Sequence, residues 1–201
     1  MKKVIGITGG IASGKTNVSR LVKAFGFPVI DADEISKMLS QKGQAIYLKI
    51  IEAFGNGYLN EDQSLNRDLL GKFIFQNSSA RKKLNDISHP LIVEEIKKQI
   101  DNSQASMVFV DIPLLYEANL AYLCDKIICC YLPYRLQLKR LMNRNQISKR
   151  YAKSKIKSQM SLKKKRKMAD YVINTAYEFS HTEEQLKQII NQIKGEDYGN
   201  I

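Results

Sequence analysis

Residues 9–16 read GGIASGKT and fit the pattern GxxxxGK(S/T). What surrounds them narrows the fold more than any other feature of the chain. Residues 3–8 before the glycines are an apolar, β-branched run, which reads as a strand. After them, Val18, Leu21, Val22 and Phe25 recur at helical spacing across residues 15–25. A strand, a glycine loop and a helix in that order form an anion cradle. Glycines let the backbone curl with its N–H groups pointing inward. The helix that follows adds its first amides and the positive end of its dipole. The lysine of such a loop reaches the terminal phosphates of a nucleotide, and the hydroxyl after it can ligate Mg²⁺. The candidate phosphate-binding residues are therefore Gly10, Ile11, Ala12, Ser13, Gly14, Lys15 and Thr16.

The rest of the chain alternates short apolar strands with helices. Strands are predicted at residues 28–30, 107–112, 126–132 and 171–173. Helices are predicted at 34–41, 44–54, 67–76, 79–100, 134–145, through the basic stretch that follows, and from a capping box at Ser180 to Glu183 up to Lys194. Pro90 predicts a kink or break within 79–100, and Pro133 is well placed to open the next helix. The last seven residues read as a frayed tail. Strands alternating with helices give an α/β fold, a five-stranded parallel sheet with helices on both faces. The long helical stretch between the second and third strands reads as an insertion. Expected divisions are a nucleotide-binding core of residues 1–31, 103–133 and 168–201, a helical insertion of 32–102, and a lid with the basic helical segment at 134–167.

Composition excludes several classes. The apolar start is broken by Gly6, Gly9 and Gly10 and followed by Lys15, so it reads as a strand rather than a leader peptide. No run approaches the roughly 18 apolar residues of a membrane span. The cysteines, Cys124, Cys129 and Cys130, are odd in number and form no CxxC pair. Cys129 and Cys130 read as small apolar side chains of a buried strand, and a reducing, cytoplasmic home is expected. Of the net charge of +12, ten cations fall between Lys149 and Lys167 with no acid among them, leaving about +2 elsewhere. The run from Lys163 to Lys167 reads as an exposed helix face. Tyr151 is the one aromatic nearby, so no base-stacking platform and no specific nucleic-acid partner are expected.

Further candidates lie at strand ends, where ligands bind in open parallel sheets. Asp31 and Asp33 close the second strand. Being two apart on a strand, they share a side, so one acid of the pair should face the loop. A carboxylate there can accept a hydroxyl proton or hold Mg²⁺ through water. Position alone equally allows both to cap the following helix. Asp111 ends a buried strand, as an acid indirectly serving Mg²⁺ would, or as a strand-end cap. Arg140 and Arg144 share a helix face and suit phosphate oxygens, although a solvated amphipathic helix fits the same spacing. His89 precedes Pro90 and by position is an ordinary half-buried histidine. Asp68 to Gly71 fits D-x-x-G but follows polar residues, which favours a helix over a switch loop. No N-K-x-D guanine motif is present.

Taken together, these features resemble the dephospho-CoA kinase family from about Val4 to Asn174. The carriers are the loop from Thr8 to Lys15, with Ala12 where glycine is common, and Val29 to Asp33. Further on are Arg67 to Phe75, Leu84 to Pro90, Asp111 to Glu117, Gln137 to Arg140 with Arg144, Gln159-Met160, and Ala169 to Ile173. The resemblance implies a P-loop NTPase fold with a helical substrate-binding insertion and a helical lid. It implies ATP and Mg²⁺, with dephospho-CoA as acceptor, and catalytic roles for Lys15, Asp33 and Arg140. Asp33 becomes the base for the ribose 3′-hydroxyl, and Arg140 a lid residue on the transferring phosphoryl. Arg144 joins the nucleotide-binding set, Thr16 and Asp111 the metal set, and His89, Leu115 and Glu117 with Asp33 the acceptor pocket. A monomer or weak homo-oligomer without a membrane partner is expected.

Overall fold

The computed structural model describes residues 2–195. Five strands, β1 (Lys3–Gly9), β2 (Val29–Asp31), β3 (Met107–Asp111), β4 (Lys126–Tyr131) and β5 (Tyr171–Asn174), form one parallel sheet in the order β2-β3-β1-β4-β5. β1 lies at the centre, parallel to β3 and β4, and β4 continues parallel into β5. A strand flanked on both edges and covered on both faces must be apolar throughout. β1 meets this from Val4 to Ile7, with Ile5 and Ile7 fully buried, and departs from it at Lys3 and Thr8 towards its two ends. Register then places the polar residues: Ile7 pairs with Asp111 and Gly9 with Cys130, so Asp111 ends its strand beside the start of the glycine loop.

The helices of this part are α1 (Lys15–Ala24), α6 (Tyr134–Asn145), α7 (Lys149–Lys157), α8 (Leu162–Met168) and α9 (Phe179–Gly195). In α9, Leu186, Ile189, Ile190 and Ile193 repeat at three- and four-residue steps and are buried with Val18, Leu21 and Val22 of α1. Each such burial is worth about 1.5–3 kcal/mol. The other α-helices of the described residues are α2 (Ala32–Leu39), α3 (Ala45–Phe54), α4 (Arg67–Gln76) and α5 (Ser78–Asn102). The chain divides into two compact units, one of Asp31–Ser103 and the other of the described residues on either side. In the smaller unit α5 packs on α2, α3 and α4. Its core gathers Ile46, Ile50 and Leu70, edged by Phe54, Tyr58 and Phe73 in ring contacts of 5.4–6.4 Å.

Some elements match expectation and others differ for identifiable reasons. α5 runs unbroken through Pro90, because Pro90 lies on the exposed side, where the carbonyl that loses its N–H partner can bond water. The segment 68–71 is helical, within α4. α9 starts at Phe179, so Ser180 sits inside the first turn and the expected capping box does not form. The expected frayed tail lies, beyond Gly195, outside the described residues. Cys129 and Cys130 are buried in β4 as thiols. The expected wholly exposed face at residues 163–167 is incorrect at one position: Lys165 is completely buried, while its four neighbours in the run are exposed.

Candidate active site

The glycine loop turns from β1 into α1 with Ala12 at φ 59° and Gly14 at φ 81°. Gly14 is the N-cap of α1 and brings no side-chain acceptor to its first turn, which also lacks an acid. Nothing negative from the helix therefore competes with an anion there. The loop is tightly packed from below. A Cβ on Gly9 would come within 2.4 Å of the Ser13 hydroxyl, one on Gly10 within 2.8 Å of the Gln137 amide, and one on Gly14 within 3.1 Å of Thr175. The Thr175 hydroxyl donates to the Ser13 carbonyl at 2.7 Å, pinning the loop to the end of β5.

Lys15 forms an ion pair with Asp111, whose other oxygen accepts the Ser19 hydroxyl at 2.6 Å. Asp111 is 2% exposed and Lys15 is 15% exposed, so the ammonium lies at the rim and the carboxylate at the floor. Ser19 was not among the sequence candidates. The signal was available, since it lies four residues after Lys15 on the same helix face. Thr16 is exposed on the first turn of α1. Among the described residues no group of three or more His, Cys, Asp or Glu could hold a metal ion. One hydroxyl and one carboxylate nonetheless fit Mg²⁺, which keeps several waters and binds chiefly through substrate phosphates. Beneath the loop, burial first and Cys129 and Asp111 next hold the Cys130 thiol well above its usual pKa.

Not every loop amide points at an open site. The Ile11 N–H donates to the Gln159 side chain at 2.8 Å, and the Ile11 carbonyl accepts from Gln137 at 2.9 Å. The Ser13 N–H donates back to Gly10 at 3.1 Å. Ile11 and Ala12 also pack against Leu138, Leu141, Ala152 and Ile156 of α6 and α7.

Arg140 donates to the Thr175 carbonyl at 2.7 Å, one residue contact from the loop. Arg144, one turn on, is exposed and donates to its neighbour Asn145 at 2.9 Å, so the two arginines have different partners. Asp31, not Asp33, is the N-cap of α2, accepting from the Asp33 and Glu34 amides at 2.8 and 3.2 Å. The strand ends at Asp31, so the argument from shared strand sides does not hold. Asp33 belongs to the first turn of α2, with its side chain exposed. His89 is half-buried in α5.

Two further residues that the resemblance assigns to an acceptor pocket lie on the segment after β3. Leu115 is fully buried, and its neighbour Leu114 carries the exposed apolar surface. Glu117 accepts the Met160 N–H at 2.9 Å and pairs with Lys165 at 2.9 Å. Past Thr175 a surface cavity is lined by Ala176, Tyr177, Glu178, Ser180 and His181, with the Tyr177 and His181 rings edge-to-face at 5.0 Å.

Comparison with known proteins extends these observations. The dephospho-CoA kinase of Carboxydothermus hydrogenoformans is 42% identical over 198 residues, covering 97% of this chain and 96% of its own. Among solved structures, the dephospho-CoA kinase of Campylobacter jejuni matches with a TM-score of 0.71 at 32% identity, over 98% of this chain and 100% of its own. The crystal structure of a Thermus thermophilus protein matches with a TM-score of 0.83 at 25% identity, over 95% and 97%. The dephospho-CoA kinase family model matches residues 3–180, and with that span added to the glycine loop and its Lys15–Asp111 pair, the chain belongs to the dephospho-CoA kinase family.

Proposed function

We propose that this chain transfers the γ-phosphoryl of ATP to the ribose 3′-hydroxyl of dephospho-CoA, giving coenzyme A and ADP. The observation that carries the reading is the Gly9–Thr16 loop opening α1, with Lys15 held at its rim by Asp111. In this reading Lys15 exchanges Asp111 for the β- and γ-phosphates, which is a short movement between two anionic partners. The amides of Gly10, Ala12 and Gly14 to Thr16 take the remaining phosphate oxygens, since those of Ile11 and Ser13 already have partners. Arg140 turns from the Thr175 carbonyl to the transferring group, where a guanidinium offsets charge on equatorial oxygens. Asp33 orients the acceptor alcohol and takes its proton as the oxygen bonds to phosphorus, while the bond to the ADP oxygen breaks. Thr16 and Asp111 are the residues that would hold Mg²⁺, which when bound neutralises charge on the phosphates. The cavity at Tyr177 and His181 offers an aromatic surface for the nucleotide base.

The test is an ATP-consumption assay with dephospho-CoA, deoxynucleosides and nucleoside monophosphates as competing acceptors, with product mass read for one added phosphate. Phosphorylated dephospho-CoA alone is the expected product; preference for a nucleoside or nucleotide would overturn the reading. Asp33→Asn is expected to lower kcat about 10²–10⁴-fold with nucleotide affinity nearly intact. An unchanged kcat would remove Asp33 as the base.

A further inference from the structure

Lys165 is the one cation of the basic run that never meets solvent. Its side chain is 0% exposed. Its ammonium lies 2.7 Å from the Pro113 carbonyl, 3.3 Å from the Gly9 carbonyl and 2.9 Å from a Glu117 oxygen. An ammonium has three donors. Two of them have carbonyl acceptors, at the end of β1 and in the turn after β3, and the Glu117 carboxylate, from the segment beyond, adds an ion pair without a hydrogen bond. A buried ion pair of this kind is a poor source of stability, because desolvation offsets most of the attraction. Its position has a sharper consequence.

Gly9 is the last residue of β1 and the first of the glycine loop. The peptide that follows it joins two glycines, and a Gly-Gly unit resists rotation less than any other pair. In a trans peptide the carbonyl and the next N–H point in opposite directions. Fixing the Gly9 carbonyl on Lys165 therefore aims the Gly10 N–H away from the protein interior that holds Lys165. The surroundings are braced in the same sense. Thr8 donates to the same Pro113 carbonyl at 3.1 Å, and Glu117 also secures the Met160 amide, next to the Gln159 that holds Ile11.

We propose that Lys165 is a positioning residue that sets the Gly9–Gly10 peptide and thereby the nucleotide affinity of the loop. This inference rests on the nucleotide-binding part of the function proposed above and not on the identity of the acceptor. Lys165→Met keeps the length of the side chain and removes all three donors. It is expected to weaken binding of a non-hydrolysable ATP analogue, measured by titration calorimetry, at least tenfold, and to raise KM for ATP while KM for dephospho-CoA moves less than twofold. A merely structural role is separated by Lys165→Met/Glu117→Gln, which leaves no unpaired buried charge. That double variant is expected to regain the urea midpoint but not the affinity, because the Gly9 carbonyl still lacks its donor. Affinity that returns together with stability overturns the proposal. So does single-variant affinity within twofold of the unaltered protein. If the single variant does not accumulate as folded protein, the double variant carries the same readout. Should the unaltered protein bind the analogue but phosphorylate another alcohol, the acceptor assignment fails and this inference stands.

Discussion

Removing one hydroxyl from beneath the loop tests whether Asp111 is held in place as described. Ser19 is 7% exposed and donates to Asp111 at 2.6 Å, a short contact to a carboxylate itself 2% exposed. A hydrogen bond to a charged acceptor contributes about 1.5–3 kcal/mol. Ser19→Ala removes little volume, so packing adds little. The second bond of that hydroxyl, to the Lys15 carbonyl, is 3.3 Å, well beyond the usual range for a hydroxyl donor, and adds little. The expected loss is about 2 kcal/mol, or about 4–8 °C in Tm for a chain of this length. It is about 2 rather than 5 because Lys15 still pairs with the carboxylate. The assay is urea unfolding of Ser19→Ala, Asp111→Ala and the double variant. A coupling energy near 2 kcal/mol is expected, since the hydroxyl has no carboxylate to serve once Asp111 is gone. Coupling below about 0.5 kcal/mol would refute the reasoning and leave Asp111 positioned by Lys15 alone.

Gly9→Ala should destabilise the protein by about 1–3 kcal/mol through overpacking, because its methyl would meet the Ser13 hydroxyl at 2.4 Å and Cys130 at 3.2 Å. Adding Ser13→Ala should recover part of that loss in the same denaturation assay; full recovery would mean the Cys130 contact is harmless. Burial, with Asp125 secondary, pushes the Cys124 thiol up to about 12, and burial lifts Cys129 to about 11. The folded protein thus holds these protons more tightly than the unfolded chain. Their contribution to stability is complete below about pH 8.5 and is lost as pH rises towards 11–12. Thiol labelling at pH 8 should be slow in native protein and complete in urea; rapid native labelling would contradict the burial.

Legibility in the sequence followed the range of the interactions. The glycine loop, α1 and the apolar strands rest on local spacing, and α6 begins at Tyr134 after Pro133 as the sequence predicts. Asp33 was harder, because whether residue 32 continues a strand or starts a helix depends on Asp31 turning its carboxylate onto the next amides. Pro90 misled for a related reason: the penalty of a helical proline depends on which side faces water, which its immediate neighbours do not reveal. Lys165 was invisible in another way. Within its own run it is one of five consecutive cations, and its acceptors lie 52 and 156 residues away for the two carbonyls. Ser19 stood between these extremes, since the spacing from Lys15 was readable but the partner on β3 was not.

The grip of Gln137 and Gln159 on the two peptides flanking Ile11 gives the loop a mechanical character. Gln159 takes the hydrogen of the Gly10–Ile11 peptide and Gln137 the oxygen of the Ile11–Ala12 peptide, so each of these two units can swivel only if its own partner lets go. The crest of the loop is therefore tied to the arm made by α6, which carries Gln137, and the turn after α7, which carries Gln159. Alterations in that arm that never touch a nucleotide would be felt as slower exchange of it.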